Sequence, residues 1–545
     1  LPVGGFYRET KYSMESYDFR ATASYNNVFG EDHIVNLFGG METNAVNREK
    51  TWFNGVGMQY EMGMLPSYDY LYFKQGNEEN AGYYSVDRTR QREVSFFGTG
   101  TYSYKGRYTL NGTVRYEGSN KLGKSRKARW LPTWNVSAAW NAHEEEFWQS
   151  FRDVVSNMTL KASYSLTADR GPASVSNSKA IINSYNTWRP FTSMKESGLI
   201  LSSVENSELT YEKKHELNIG AEIGFIDNRI NIEADWYTRN NFDLIGLIYT
   251  KGTGGQLAKF ANVASMKSSG VEFTVSTRNI KTKDFSWNTD FIFSHTKNGV
   301  TDLQSNASVM DMISGNGFAM EGYPVRALFS MDFQGLNENG YPTFINEKGQ
   351  LTVSDINFQE QLKKDHLVYE GPTDPTMTGS LGNIFRYKGF TLNAFITYSF
   401  GNVIRLDPVF HNVYSDLDAM PREFINRWTT GGDEKVTNVP VIADKRANQQ
   451  DPYLSYAYNA YNYSTERIAK GDFIRMKELS LSYNFPKKMI SRLKVNDLSL
   501  KIQATNLFLI YSDKKLNGQD PEFFNTGGVA SPVPRQFTLT LRLGI

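Results

Sequence analysis

Apolar and polar residues alternate with a period of two along most of this chain. The last ten residues show it without a break: Phe537, Leu539, Leu541, Leu543 and Ile545 interleave with Gln536, Thr538, Thr540, Arg542 and Gly544. An extended strand sends successive side chains to opposite faces, so one face here is wholly apolar and the other polar. The stretch from 215 to 238 repeats the pattern on both sides of a turn. Leu217, Ile219, Ala221, Ile223 and Phe225 alternate with polar or small neighbours. Asp227 and Asn228 tolerate turn dihedrals, and Ile230, Ile232, Ala234 and Trp236 return. The polar partners of these residues include Glu216, Glu222, Glu233 and Asp235. Burying so many carboxylates in a dry core is costly, whereas a water-filled lumen accommodates them.

About seventeen strands follow from this pattern. Two of them, in LFSMDFQG and YPTFI, flank a turn at Asn337–Gly340, an Asn-Gly signal. The connections sort into two alternating classes. Mostly short ones lie near 26–32, 105–106, 226–229, 280–284, 337–340, 388–389 and 485–497, with 142–157 the longest of them. Long ones lie near 43–92, 118–132, 168–211, 241–267, 297–323, 347–376, 402–471 and 510–535. Short turns on one side and long loops on the other mark a membrane barrel, with the long side extracellular. The expected fold is therefore all-β, an antiparallel transmembrane β-barrel, and residues 1–545 form one part of it.

Composition narrows the picture further. The 545 residues carry 59 Lys plus Arg against 58 Asp plus Glu, a formal net charge of +1 that makes no electrostatic case for nucleic acid. No stretch approaches the roughly 18–20 apolar residues of a spanning helix. Aromatics reach 14 %, and cysteine is absent, which removes disulfides and Cys-based zinc sites.

Catalytic chemistry finds no foothold. His143-Glu144-Glu145-Glu146 begins like a zinc-protease helix, but Phe147 stands where the second His is needed. Gly252-Thr253-Gly254-Gly255 lacks the Lys-Ser/Thr and the helix of a phosphate loop. The expectation is no enzyme, no cofactor and no metal. Loop aromatics are the remaining candidates for ligand binding: Trp52, Tyr68, Tyr70, Trp188 with its neighbour Arg189, and Trp428. Such faces stack on sugar rings or hold apolar peptide side chains; equally, they pack loops or belong to an interfacial aromatic belt. Glu216, Glu222, Glu233, Asp235 and Arg542 are expected to face the lumen.

Several stretches, in order, resemble the SusC-like TonB-dependent transporters of Bacteroidota outer membranes. They are SFFGTGTYSYKGRYTLNGTVRYEGSN, LPTWNVSAAWNAHEEEFW, LTYEKKHELNIGAEIGFIDNRINIEADWYTRNNFDLI, NVASMKSSGVEFTVSTRNIKTKDFSWNTDFIFSHTKNGVTDL, RYKGFTLNAFITYSFGN, IAKGDFIRMKELSLSYNFPKKM, LSLKIQATNLFLI and PRQFTLTLRLGI. The resemblance implies a plugged barrel of about 22 strands, the plug lying outside this chain. It implies import of oligosaccharides or peptides, a SusD-like surface lipoprotein as lid, energy from TonB–ExbB–ExbD, and pairing of transporter–lid units into a dimer. It places the long loops outside the cell and the C-terminus in the periplasm. Counting back from the last strand makes 18–25 strand six and puts Leu1 in an extracellular loop. The remaining N-terminal half would then be a separate or cleaved piece. A passive porin or surface adhesin is the alternative, and a soluble all-β glycan-binding protein or glycosidase a third reading.

Overall fold

The computed structural model describes residues 4–544 except 64, 67–70, 72–73, 77–81, 172–179, 187–195, 250–257, 305–306, 416, 419, 492–494 and 525–533. Fifteen strands pair in chain order within one large sheet. They are β1 (Gly5–Phe29), β2 (His33–Gln59), β3 (Tyr84–Tyr104), β4 (Tyr108–Ser119), β5 (Trp130–Asn141), β6 (Val155–Asp169), β7 (Glu212–Phe225), β8 (Ile230–Tyr249), β9 (Ala258–Lys281), β10 (Phe285–Leu303), β11 (Met377–Tyr387), β12 (Phe390–Phe400), β13 (Phe473–Asn484), β14 (Asp497–Ser512) and β15 (Gln536–Gly544). A two-residue strand, Leu65–Pro66, pairs with the end of β2. Among the described residues no helix is long and apolar enough to cross a membrane.

Successive connections lie at alternate ends of the strands. Those at one end fill 30–32, 105–107, 142–154, 226–229, 282–284, 388–389 and 485–496; those at the other fill 60–83, 120–129, 170–211, 250–257, 304–376, 401–472 and 513–535. The expected sorting by length holds only in part: 142–154 and 485–496 are longer than 120–129 and 250–257, and the loop expected at 241–267 is mostly strand, because β8 runs to Tyr249 and β9 starts at Ala258. Two further expectations fail. The segments at 328–335 and 341–345 are not wall strands. Ala327–Met331 is buried at every position, and Phe333–Leu336, Pro342–Ile345 and Leu351–Thr352 form a separate three-stranded sheet. Leu328 and Phe329 stand side by side and both are buried, where a wall strand leaves its apolar face exposed. Second, the loop expected at 43–92 is mostly strand, because β3 starts at Tyr84 and β2 runs to Gln59, 27 residues long against the 25 of its partner β1. A tilted strand crosses a bilayer in about 9–11 residues, so more than half of each lies beyond any hydrocarbon layer.

The chain divides into two compact units. The first holds Leu1–Ala138, Ser163–Glu216 and Asn241–Ala264; the second holds Ala139–Ala162, Leu217–Asn240 and Ser265–Ile545. In the first unit, the register from β1 to β4 sorts side chains into rows. Tyr25, Leu37, Gly100 and Gly112 share one row, and Ala21, Met41, Phe96 and Tyr116 another. Next to the first, on the opposite face and toward the short turns, lies the polar row Asn26, Asn36, Thr101 and Asn111.

The second unit repeats the rule across β10 to β15. Trp287, Phe385, Leu392, Leu481, Ile502 and Leu539 form one apolar row. Ser286, Arg386, Thr391, Ser482, Lys501 and Thr540 form a polar row on the other face. Beside the short turns, Phe285, Tyr387, Phe390, Tyr483, Leu500 and Leu541 make a third row rich in aromatics, the composition of a membrane-interface belt.

The second unit also contains a lobe with an ordinary buried core, built from connections 304–376 and 401–472. Val309, Met312, Ile313, Phe329, Phe344, Phe410, Tyr458 and Tyr461 meet there. Ser308 and Asp311 close a capping box on the short helix Val309–Ile313. Helix Leu454–Asn462 buries Leu454, Ala457, Tyr458 and Tyr461, the i, i+3, i+4, i+7 stripe of an amphipathic helix.

Candidate functional site

The polar face of the sheet is the candidate site. In the first unit it carries a chain of ion pairs at positions the register brings level. Arg20, Glu42, Ser95 and Glu117 occupy one row. Arg115 bonds Glu42 at 3.0 Å and Glu117 at 2.8 Å. Arg170, just after β6, bridges Glu93 at 2.5 Å and Glu117 at 3.4 Å. Arg20 lies 3.9 Å from Glu42, so each carboxylate except Glu93 meets two guanidinium groups. A cavity of about 570 Å³ opens beside this network, lined by Arg115, Glu117, Lys121, Thr133, Asp169 and Arg170 among others. Both signs of charge and several hydroxyls face one space. Such a wall can hydrogen-bond a polar solute, and it offers an apolar one little.

In the second unit, β6, β7 and β8 bring Lys161 between two carboxylates. Its ammonium pairs with Glu222 and lies 4.0 Å from Glu233. A smaller cavity of about 230 Å³ lies there, lined by His143, Thr159, Glu222, Glu233, Thr274 and Ser276. Asp235 belongs to the same neighbourhood: its carboxylate approaches Gly220 so closely that an ideal Cβ there would meet Oδ1 at 2.3 Å. The structure therefore gathers Glu222, Glu233 and Asp235 around one lysine that the sequence pattern did not single out. The missing signal was the cross-strand partner, which a single strand's alternation does not reveal. Of the other lumen candidates, Glu216 pairs with Lys214 at 2.7 Å, and Arg542 lies opposite Ser499.

The loop aromatics fare differently. Trp52 is in β2, opposite Thr10 and Ser85, and not in a loop. Tyr68, Tyr70, Trp188 and Arg189 lie outside the described residues. Trp428 is integrated into the lobe. Its indole donates to Glu434 Oε2 at 3.0 Å, and its ring covers Gly340, where an ideal Cβ would meet it at 2.5 Å. Gly340 also has a φ of 76°, so both conformation and space call for glycine. Among the described residues no group of His, Cys, Asp or Glu is arranged to hold a metal ion.

Buried cations fasten the lobe. Arg405 donates to the carbonyls of Phe329 and Ser464 at 2.6 and 2.7 Å and to Ser330 Oγ at 3.0 Å. Burial pulls its guanidinium down to about 10, still charged at neutral pH. Burial pushes the neighbouring Glu370 carboxyl up, against the opposing pull of Ser330 and Arg405. Arg467 pairs with Glu423 at 2.7 Å. Arg475, on β13, pairs with Asp520 and lies 3.4 Å from Glu522, which ties the connection after β14 to the wall.

Comparison with known proteins now bears on this geometry. Residues 3–418 match the family model described as TonB dependent receptor-like, beta-barrel. TonB-dependent receptor P3 of Formosa agariphila is 24 % identical over 531 residues, 95 % of this chain and 49 % of that protein. TonB-dependent receptor SusC of Bacteroides thetaiotaomicron is 25 % identical over 478 residues, 84 % of this chain and 44 % of that protein. The chain thus spans about half the length of the curated relatives it matches. Among solved structures, the RagAB peptide transporter superposes with a TM-score of 0.79 at 21 % identity, over 99 % of this chain and 56 % of the other. Its open-open state gives 0.79 at 20 % identity. These structural likenesses carry the fold.

Proposed function

The chain belongs to the TonB-dependent receptor-like β-barrel family, and from that premise we propose that it forms the C-terminal part of the barrel of an outer-membrane importer. The cargo is a nutrient oligomer, oligosaccharide or peptide, drawn across the outer membrane at the expense of TonB–ExbB–ExbD. The long connections face outward and β15 runs down to the periplasm. The observation that supports this most is the two-faced sheet: apolar rows on one side, and on the other the Glu42–Arg115–Glu117–Arg170–Glu93 network beside its cavity. Lipid suits the first face and an aqueous path the second.

β1 and β15 end the sheet. Open edges are untenable in hydrocarbon, so the remaining strands and the plug come from the other half of the transporter. A family barrel of about 22 strands would need seven beyond the fifteen here. A SusD-like lipoprotein closes the outer face, and two transporter–lid pairs associate. Glu216, Glu222, Glu233, Asp235 and Arg542 face the lumen, where they line the path or hold the plug. Trp52, Tyr68, Tyr70, Trp188, Arg189 and Trp428 stay as candidate contacts for the ligand or the lid. The reading makes the chain a transporter component and no enzyme, and it needs no cofactor.

The test is uptake by cells that carry the complete transporter, with and without TonB. TonB-dependent accumulation of an oligosaccharide or peptide is the expected result. A steady large conductance of the complete purified assembly would overturn it in favour of a passive pore.

A further inference from the structure

Beyond its apolar rows, the outward face of β3 turns abruptly basic. Val94 and Phe96 lie on the same face as Leu37 and Met41. The next three residues on that face, at two-residue spacing, are Arg92, Arg90 and Arg88, opposite Ala45, Asn47 and Glu49. All three are exposed. Arg88 pairs with Glu49 at 2.7 Å. Arg92 donates to Asn47 Oδ1 at 2.7 Å and to the Val46 and Gln91 carbonyls, contacts that fix its guanidinium without neutralising it. Arg90 makes no ion pair with any described residue.

The connection after β4 adds to this charge. Beside Lys121, which lines the cavity on the polar face, residues 120–129 contain Lys124, Arg126, Lys127 and Arg129 and no acidic residue. Asn120 joins the connection to β3 by accepting from Arg92 N at 2.9 Å and donating to Arg90 O at 2.9 Å. Lys124 meets Glu205 at 3.3 Å, while Arg126 and Lys127 are exposed. Aromatic rings mark the level just below: Tyr116 stacks on Trp130 at 5.1 Å between centroids. From Tyr108, at the short-turn end, to Gly118 is ten residues, about 25 Å of height for a strand tilted by roughly 40°. The basic stripe therefore begins where an apolar band of ordinary height ends.

We propose that Arg88, Arg90 and Arg92, with Arg126 and Lys127 of the connection 120–129, bind the phosphate groups of outer-leaflet glycolipid. This rests on the outer-membrane reading above. The partner follows from the face. The arginines continue the lipid-facing surface past its aromatic belt, so what meets them is the head group of the lipid that meets Val94 and Phe96. Fixed guanidinium groups suit phosphate oxygens by geometry and charge. A solute on its way through the lumen would meet the opposite face.

The complete transporter is extracted in detergent from its own membrane, and bound glycolipid is measured by mass spectrometry. Wild type should retain phosphorylated glycolipid. The R88Q/R90Q/R92Q variant should retain at least tenfold less, since each basic residue near an anionic surface contributes roughly fivefold. Arg48→Gln, on the opposite face of β2, should change nothing. Equal retention by the triple variant overturns the inference, as does equal loss in Arg48→Gln. Should the triple variant fail to assemble, wild type washed in 1 M salt decides. Phosphate contacts at a surface are screened there, so release is expected and undiminished retention overturns the idea. A protein that needs detergent but holds no glycolipid defeats this inference alone. One that is extracted without detergent defeats the barrel reading as well.

Discussion

Leu539, on the wall strand β15, is 69 % exposed, whereas Phe344, in the lobe between β10 and β11, is wholly covered. Both are large apolar residues in strands of the same compact unit. Along β10 to β15 the apolar rows stay uncovered because the membrane serves as their core. The lobe stands in water and must make a core of its own from Met312, Phe344, Phe410, Tyr458 and Tyr461. The two regions therefore respond to opposite substitutions. A cavity damages the lobe, and a charge damages the wall.

The largest effect is expected from Phe344→Ala. Emptying a buried aromatic site costs about 3–5 kcal/mol, enough to open a lobe of this size. Limited proteolysis should then cut within 304–376 and 401–472 while the barrel keeps its heat-modifiable mobility in gels. Loss of both together would mean that lobe and wall fold as one cooperative body, and the contrast drawn above would fail.

Next comes the buried pair that ties the connection after β14 to the wall. Arg475 and Asp520 have side chains only 5 % and 8 % exposed. Asp520→Ala leaves a buried guanidinium with Glu522 alone, at a cost of about 3 kcal/mol. Hydrogen exchange should speed up in 513–524, where Leu516 and Phe524 pack on Ile404, Leu406 and Ala469. Replacing both partners, R475M/D520L, should recover much of the loss. A double variant as unstable as the single one would show that the pair does more than anchor the connection.

The wall has its own test, sharpened by the register. Leu541 lies in the aromatic row beside the short turns, and Leu539 one row deeper. An arginine on the lipid face costs most at mid-depth and roughly 0–1 kcal/mol near an interface. Leu539→Arg should therefore reduce assembly by about 2 kcal/mol, Leu541→Arg by less, and Thr540→Arg, on the polar face, least. Yields of folded barrel in outer-membrane fractions would rank them. Equal yields for Leu539→Arg and Thr540→Arg would overturn the facing assignment.

That contrast also explains what could be read from the chain. Where lipid meets one face and water the other, alternation is enforced residue by residue, and strands such as 230–238 and 536–544 are plain. Beyond the membrane both faces are wet. The constraint lapses, and ETKYSMESYDF in β1 is strand by pairing with β2 alone. The lobe leaves two local signals that a period-two reading passes over: the Ser308–Asp311 capping box and the stripe Leu454, Ala457, Tyr458, Tyr461. Both are short helical signals surrounded by period-two sequence, and the core they serve is assembled from segments about a hundred residues apart. Of the candidate site, the carboxylates on β7 and β8 were visible as the polar set. Their lysine on β6 was not, because ion pairing across strands depends on register.

The smallest effect concerns pH, and it lies in the lobe. The Asp433 carboxylate accepts from the backbone N–H groups of Thr429 and Thr430 and from the Thr429 hydroxyl at 2.9–3.0 Å. These donors hold its carboxyl below the usual carboxylate range. A carboxyl depressed on folding contributes its stability above the unfolded value, and the contribution fades as pH falls through the lower folded value. The turn at 429–434, where Trp428 covers Gly340, should thus loosen only in acid. Tryptophan fluorescence of the complete protein, compared with a Trp428→Phe reference, should show an acid transition. Asp433→Asn should shrink the difference between neutral and acid pH, because an amide oxygen keeps the geometry without the charge. An unaltered transition in that variant would assign the acid response to another group.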